Sequence, residues 1–301
     1  MYYIVYGFIY LLSLLPMRVL YVFADLIYGL LYYVFVYRKK VVMQNLAIAF
    51  PNKTEQERTV IAKKFYHNFV DTFIETIKLF SASKKFFLER FTGDVTELNK
   101  LHAEGVRCQV HLGHNFNWEL GNLTMQIMTN YQLIGVYMPL QNKVFERIMI
   151  KLRGKHGTGL LPATNMKEAM MPWRDKQYML GLVADQVPGN LKRAYWLYFF
   201  GKPTPFVQGP EKGARAGNIP VVFANIHKLK RGYYEVDFTI ASKNPASLEP
   251  GELTRMYRDY LEEAIHKYPD MWLWSHRRWK REWNPEYMDK WIDTVPPPET
   301  K

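Results

Sequence analysis

The chain has 301 residues, 48% of them hydrophobic, so it can build a full core in one large domain or two small ones. Its single cysteine, Cys108, excludes an intramolecular disulfide and fits a reducing compartment or a bacterial cytoplasm. A net charge of +12, from 40 basic and 28 acidic residues, calls for an anionic partner: nucleic acid, anionic lipid or an acidic protein.

The first 37 residues choose among these partners. Only Arg18 and Asp25 are charged there, and Pro16 divides the run. The piece from Val19 to Tyr37 is about long enough to span a bilayer. The piece before Pro16 is short for a span and suits the interface. Arg38-Lys39-Lys40 follows directly, so the positive-inside rule puts the C-terminal side in the cytoplasm. There is no basic leader or small-residue cleavage site, which argues against a cleaved signal peptide. The competing reading is a pair of buried core helices. The apolar start, with no recognisable binding motif, argues against a nucleic-acid partner. We therefore read 1–40 as a membrane anchor and 41–301 as the folded domain, with a helical lead-in at 41–95 and an α/β core at 100–295.

Thr54-Glu55-Gln56-Glu57 is a capping box. Ile61, Phe65, Phe69, Phe73 and Ile77 follow at a spacing of four and predict a long amphipathic helix. From about residue 100 the pattern alternates. Strands are predicted at 106–112, 132–138, 178–185 and 219–226, the last leading through Lys230-Arg231-Gly232 into a hairpin strand at 233–241. Cys108 falls in the first of these strands as a buried, inert thiol. Helices are predicted at 120–128 and 143–155. In the latter, Lys143, Arg147 and Lys151 line one face, either as a solvated helix face or as a docking face for an anionic surface. Strands alternating with helices predict an α/β fold with a mostly parallel sheet, in which sites form at the carboxyl ends of strands. His114 and Asp185 both stand at such ends.

His114 follows a predicted strand and Glu119 opens the next helix, with Asn115 or Asn117 available as its cap. Across such a turn the two can meet. A carboxylate on one imidazole nitrogen leaves the other free to take a proton, which makes His114 a candidate general base and Glu119 its orienting partner. His111-x-x-His114 with Glu119 lacks the helical spacing of a zincin, so no metal is expected there. No Gly-x-Ser-x-Gly or phosphate-cradling loop is present.

His-x4-Glu resembles the His-x4-Asp/Glu signature of glycerolipid-type acyltransferases. Further blocks narrow the resemblance to the lipid A biosynthesis (Kdo2-lipid A) late acyltransferase family. They are Asn45-Leu46-Ala47-Ile48-Ala49-Phe50-Pro51, His114 to Glu119, Tyr137-Met138-Pro139-Leu140, Leu152 to Gly157, Asp185-Gln186, Phe199 to Thr204, Gly213-Ala214-Arg215, and Trp272 to Lys280. The resemblance covers nearly the whole chain. It implies a membrane-associated enzyme of the bacterial inner membrane, with its catalytic domain facing the cytoplasm. Such an enzyme moves a fatty acyl chain from an acyl carrier protein thioester to a hydroxyl of a phosphorylated glycolipid, a lipid A precursor, and needs no cofactor. Acyl carrier proteins are acidic, which gives the positive charge a second use. Arg153, Arg215, Arg277 and Arg278 become candidates for holding acceptor phosphates, because guanidinium binds them bidentately. Asp185 and Gln186 suit hydroxyl recognition, holding an arginine, or capping. One departure is Met138, where the family commonly has arginine. It keeps open an acceptor such as a lysophospholipid or an aminoacyl lipid. A non-catalytic membrane scaffold is the alternative from another class.

Overall fold

The computed structural model describes residues 1–299. Among the described residues nine strands occur in chain order: β1 (Phe91–Thr92), β2 (Cys108–Leu112), β3 (Gln132–Tyr137), β4 (Gly159–Pro162), β5 (Tyr178–Val183), β6 (Ala194–Phe199), β7 (Lys202–Val207), β8 (Val221–Lys230) and β9 (Tyr233–Ser242). Seven of them form one sheet in the order β1-β9-β8-β2-β5-β3-β4, while β6 and β7 form a separate hairpin. Every pairing in the large sheet is parallel except β8 with β9. This is the mixed, mostly parallel α/β architecture that the alternating pattern predicts.

Helices α1 (Tyr2–Ser13), α2 (Met17–Gly29), α3 (Lys39–Ala49), α4 (Glu55–Leu79), α5 (Lys84–Arg90) and α6 (Thr96–Ala103) precede β2. They are followed by α7 (Trp118–Met128), α8 (Lys143–Arg153), α9 (Met166–Ala169), α10 (Gly209–Gly217) and α11 (Glu252–Lys267). The capping box is formed: Thr54 accepts from the Glu57 backbone N–H while Glu57 reaches back to Thr54.

The core stripe of α4 differs from the predicted one. A spacing of four gains about 40° per turn on a helix of 3.6 residues per turn. The stripe therefore starts buried at Ile61 and Phe65 and has rotated out by Phe73, which is 53% exposed. The face that stays inside carries Asn68, Thr72 and Glu75 among apolar residues. Those polar groups have partners: Asn68 donates to Asp270, and Glu75 accepts from Tyr21, Asn117 and Tyr234.

The stretch Met17–Val34 is long and apolar enough to cross a membrane, and α1 is a shorter apolar helix. Both lie along the folded domain rather than away from it. Leu20, Ala24 and Tyr28 are buried, with Tyr28 stacked on His67 of α4. The opposite face leaves Val22, Phe23, Leu26, Leu30 and Phe35 exposed. The basic face predicted for α8 turns partly to this layer, with Arg147 over the Tyr2 ring and Lys151 over the Tyr6 ring, each 4.2 Å from the centroid. Two of its three cations thus hold the N-terminal helix through cation–π contacts.

Candidate active site

Register places the site. β2 pairs with β5 so that Leu112 lies beside Val183, and Ala184 N–H donates to Leu112 O. The chain leaves both strands at the same edge, which brings His114 and Asp185 together although 71 residues separate them. Gly113 makes the turn possible. A Cβ there would lie 2.7 Å from Asn115 Oδ1 and 2.8 Å from a Leu261 methyl, so a side chain would displace the loop.

His114 Nδ1 lies 2.5 Å from Asp185 Oδ1, and the His114 backbone N–H donates to Asp185 Oδ2 at 2.8 Å. Trp272 Nε1 donates to the same Oδ2 at 2.6 Å. Burial alone would raise the Asp185 pKa, but the imidazole beside it, these two side-chain donors and the backbone N–H lower it to about 2. An ionised carboxylate only accepts, so the His114 proton resides on Nδ1 and Nε2 carries the lone pair. The His114 side chain is 25% exposed, so that lone pair is reachable from solvent.

This corrects the pairing expected from spacing: Asp185, not Glu119, holds the imidazole. Glu119 is the second residue of α7, and its carboxylate is engaged by Arg153 of α8. Arg153 Nε lies 3.1 and 3.0 Å from the two carboxylate oxygens, and Nη2 lies 2.5 Å from Oε1. Trp118 Nε1 donates to the same carboxylate at 3.2 Å and stands edge-on to the His114 ring, 6.0 Å between centroids. The His114–Asp185 and Glu119–Arg153 pairs are therefore neighbours separated by one indole.

The surrounding loop is fixed from several sides. Asn117, the actual cap of α7, accepts from Leu120 N–H and donates to buried Glu75. Asn115 donates to Asn225 of β8 at 3.0 Å, and Phe116 N–H donates to Met271 O. The segment carrying Trp272 is itself held by Asn45 of α3, which donates to Trp274 O and His276 O. Two sequence blocks more than 200 residues apart thus meet behind the dyad.

The other predicted residues are placed as follows. Gln186 is half-buried beside Asp185, Arg277 is exposed, and Arg215 is half-buried on α10. Among the described residues, neither Arg215 nor Arg277 bonds to this network. Arg278 is corrected: it is fully enclosed, over the Phe206 ring at 4.4 Å and the Phe199 ring at 5.4 Å, where no acceptor phosphate reaches it. Burial lowers its pKa to about 10 against the opposing pull of Asp185 and Tyr257. Trp272 and Tyr257 are the functional neighbours that spacing did not reveal. Tyr257 donates to Leu112 O at 2.7 Å, and only the tertiary fold brings it there.

His111 points away from the dyad. It is buried, with Nε2 2.9 Å from the Gln109 side-chain amide. Burial lowers its pKa to about 3, and burial together with nearby cations lowers that of His276 to about 4. Both depressions stabilise the fold above the unfolded value near 6.5, and that stability is lost as pH falls toward 4 and 3. Unfolding titrations between pH 8 and pH 4 are expected to show stability falling below about pH 6.5, with His111 contributing at most about 1.4 kcal/mol per pH unit. His111→Gln should flatten that slope; an unchanged slope would refute the assignment. The Cys108 thiol, buried in β2, is pushed up to about 12 by burial, consistent with an inert side chain.

The sequence profile of the bacterial lipid A biosynthesis acyltransferases matches residues 1–281. The chain belongs to the bacterial lipid A biosynthesis acyltransferase family. A search of curated protein sequences gave no significant match. Family membership makes the chain an acyltransferase of lipid A biosynthesis. The family implies an acyl donor and a lipid A acceptor.

Proposed function

We propose that this acyltransferase moves a fatty acyl chain from an acyl carrier protein thioester to a hydroxyl of a lipid A precursor, with His114 as general base. The observation that carries this reading is the solvent-accessible His114 imidazole, its Nδ1 held by buried, ionised Asp185. Nε2 takes the proton of the acceptor hydroxyl, and the oxygen attacks the thioester carbonyl. The carbon–sulfur bond then breaks, and the imidazolium returns the proton to the leaving thiolate. Asp185 orients the ring and stabilises the imidazolium. Glu119 occupies Nε and Nη2 of Arg153, which leaves Nη1 free for an acceptor phosphate. Arg277, exposed in the same Trp272–Lys280 segment, is a second candidate for such a contact, and Gln186 for the acceptor hydroxyls.

The exposed apolar faces of α1 and α2, ahead of Arg38-Lys39-Lys40, support docking on the cytoplasmic face of the inner membrane. Because both helices pack on the folded domain, an orientation along the interface accounts for their burial pattern better than a span does. A second acceptor class is favoured by one observation. Met138, 65% exposed just after β3, supplies no charge where the family commonly has arginine.

Detergent-solubilised protein incubated with labelled acyl carrier protein thioesters and a lipid panel tests the proposal. Transfer to a phosphorylated glucosamine disaccharide lipid is expected. Transfer only to lysophospholipid or aminoacyl lipid would replace the acceptor. Absence of both transfer and thioester hydrolysis would favour a scaffold.

A further inference from the structure

The antiparallel β8–β9 ladder places His227 directly opposite Glu235, and Asn225 opposite Asp237. Side chains two apart on a strand share a face, so His227, Glu235 and Asp237 converge on one spot. We propose that these three residues form a binding site for a divalent first-row transition-metal cation, of the zinc or manganese class.

The donor set is one imidazole and two carboxylates, which suits such ions better than magnesium or calcium. His227 Nε2 lies 3.3 Å from Glu235 Oε2, and Nδ1 lies 3.2 Å from Asp237 Oδ2. One ligand atom from each residue falls within a cluster no wider than 4.8 Å. With ligand bonds of about 2.0–2.2 Å, tetrahedral ligands stand roughly 3.4 Å apart, so one ring nitrogen and the two carboxylates close around an ion by side-chain movements of about 1 Å.

The second observation is the imidazole itself. His227 is 6% exposed, and its Nδ1 is buried with no hydrogen-bond partner. Asp237 is near enough in distance but is not aligned as an acceptor. A buried ring nitrogen without a partner is costly, and a cation between it and the carboxylate would relieve that cost. The ring plane is fixed by Tyr268, stacked at 4.4 Å and 8°.

The charges agree. In a chain of net +12, neither Glu235 nor Asp237 forms an ion pair with lysine or arginine among the described residues. Lys267 feels the field of Asp237, but its side-chain hydrogen bond is to Tyr268. The spot lies behind the active-site loop, since Asn225, which accepts from Asn115, is two residues from His227. A cation there would brace the ladder that holds this loop and would take no part in acyl transfer.

The test uses the full chain in detergent, stripped of metal with a chelator. Zinc chloride and manganese chloride are titrated separately by calorimetry, and melting is followed with and without each. One saturable site and a higher Tm with either ion are expected. The double variant Glu235→Gln/Asp237→Asn should lose both effects, its affinity falling by more than the roughly 10–100-fold seen when only an outer-shell partner is lost. Its metal-free melting and acyl transfer should stay close to those of the parent. Absence of saturable binding in the parent would overturn the proposal, as would equal binding by the variant.

Discussion

Alanine in place of His114 is expected to lower the turnover number by roughly 10²–10⁴-fold, the range that a positioned general base supplies. The change removes the reacting nitrogen and one of three donors to Asp185. The other two remain: the backbone N–H at position 114, which alanine keeps, and Trp272 Nε1. The buried carboxylate is therefore not orphaned. The stability loss should be within the roughly 1–3 kcal/mol of one lost buried hydrogen bond, and the Tm should fall by only a few degrees. Single-turnover transfer on protein verified by melting separates the two effects. A folded His114→Ala enzyme turning over near the parent rate would end the assignment of His114 as base. A collapsed Tm would instead show that the residue acts mainly as a strut for the loop.

The local setting of the proposed base is legible because it is written in consecutive residues. An alternating strand, then Gly113, then an asparagine-capped helix is a pattern carried by one short stretch. The identity of its partner was not. Glu119 lies five positions away and Asp185 lies 71 away, yet register between β2 and β5 puts Asp185 at the imidazole while α7 turns Glu119 toward Arg153. Strand order cannot be read from strand content, so Asp185 reads in the sequence only as a second residue at a strand end. The same holds for Arg278. Its sequence context, Ser275-His276-Arg277-Arg278-Trp279-Lys280, does not reveal that Phe199 and Phe206 close over it.

Among the elements, the capping box fixed the start of α4 because both halves of the signal are local. The β6–β7 hairpin is not marked in the sequence, although its turn holds Phe200 and Gly201, both at positive φ, 50° and 67°. Two such residues make the tight reversal that suits twisted strands, but a phenylalanine at the first position masks the pattern. The trio on β8 and β9 escaped for another reason. His227 and its carboxylates are 8 and 10 positions apart, a spacing that becomes a site only once the hairpin register is known.

The sharpest separation of roles comes from comparing Asp185→Asn with Glu119→Gln. An asparagine at 185 keeps the volume but offers an amide where a carboxylate fixed the Nδ1 proton. The ring can then present the wrong tautomer, and nothing stabilises the imidazolium. In the Ser-His-Asp triad the corresponding change costs about 10⁴ in turnover, and a loss of roughly 10³–10⁴ is expected here. It should appear in kcat, with the KM for acceptor little changed. Glutamine at 119 leaves His114 and Asp185 intact but removes the charge that holds Arg153 through three contacts. Its effect should fall on acceptor KM by roughly 10–100-fold, the worth of a charge-assisted hydrogen bond. A lower Tm is also expected, because the Arg153 guanidinium is left part-buried without its counterion. A cycle with Arg153→Met adds a further check: the double variant Glu119→Gln/Arg153→Met should bind acceptor no worse than Arg153→Met alone. If Glu119→Gln instead depresses kcat as deeply as Asp185→Asn, Glu119 acts on the imidazole during turnover. If Asp185→Asn is mild, the contact seen at 2.5 Å orients a ring whose tautomer is set elsewhere.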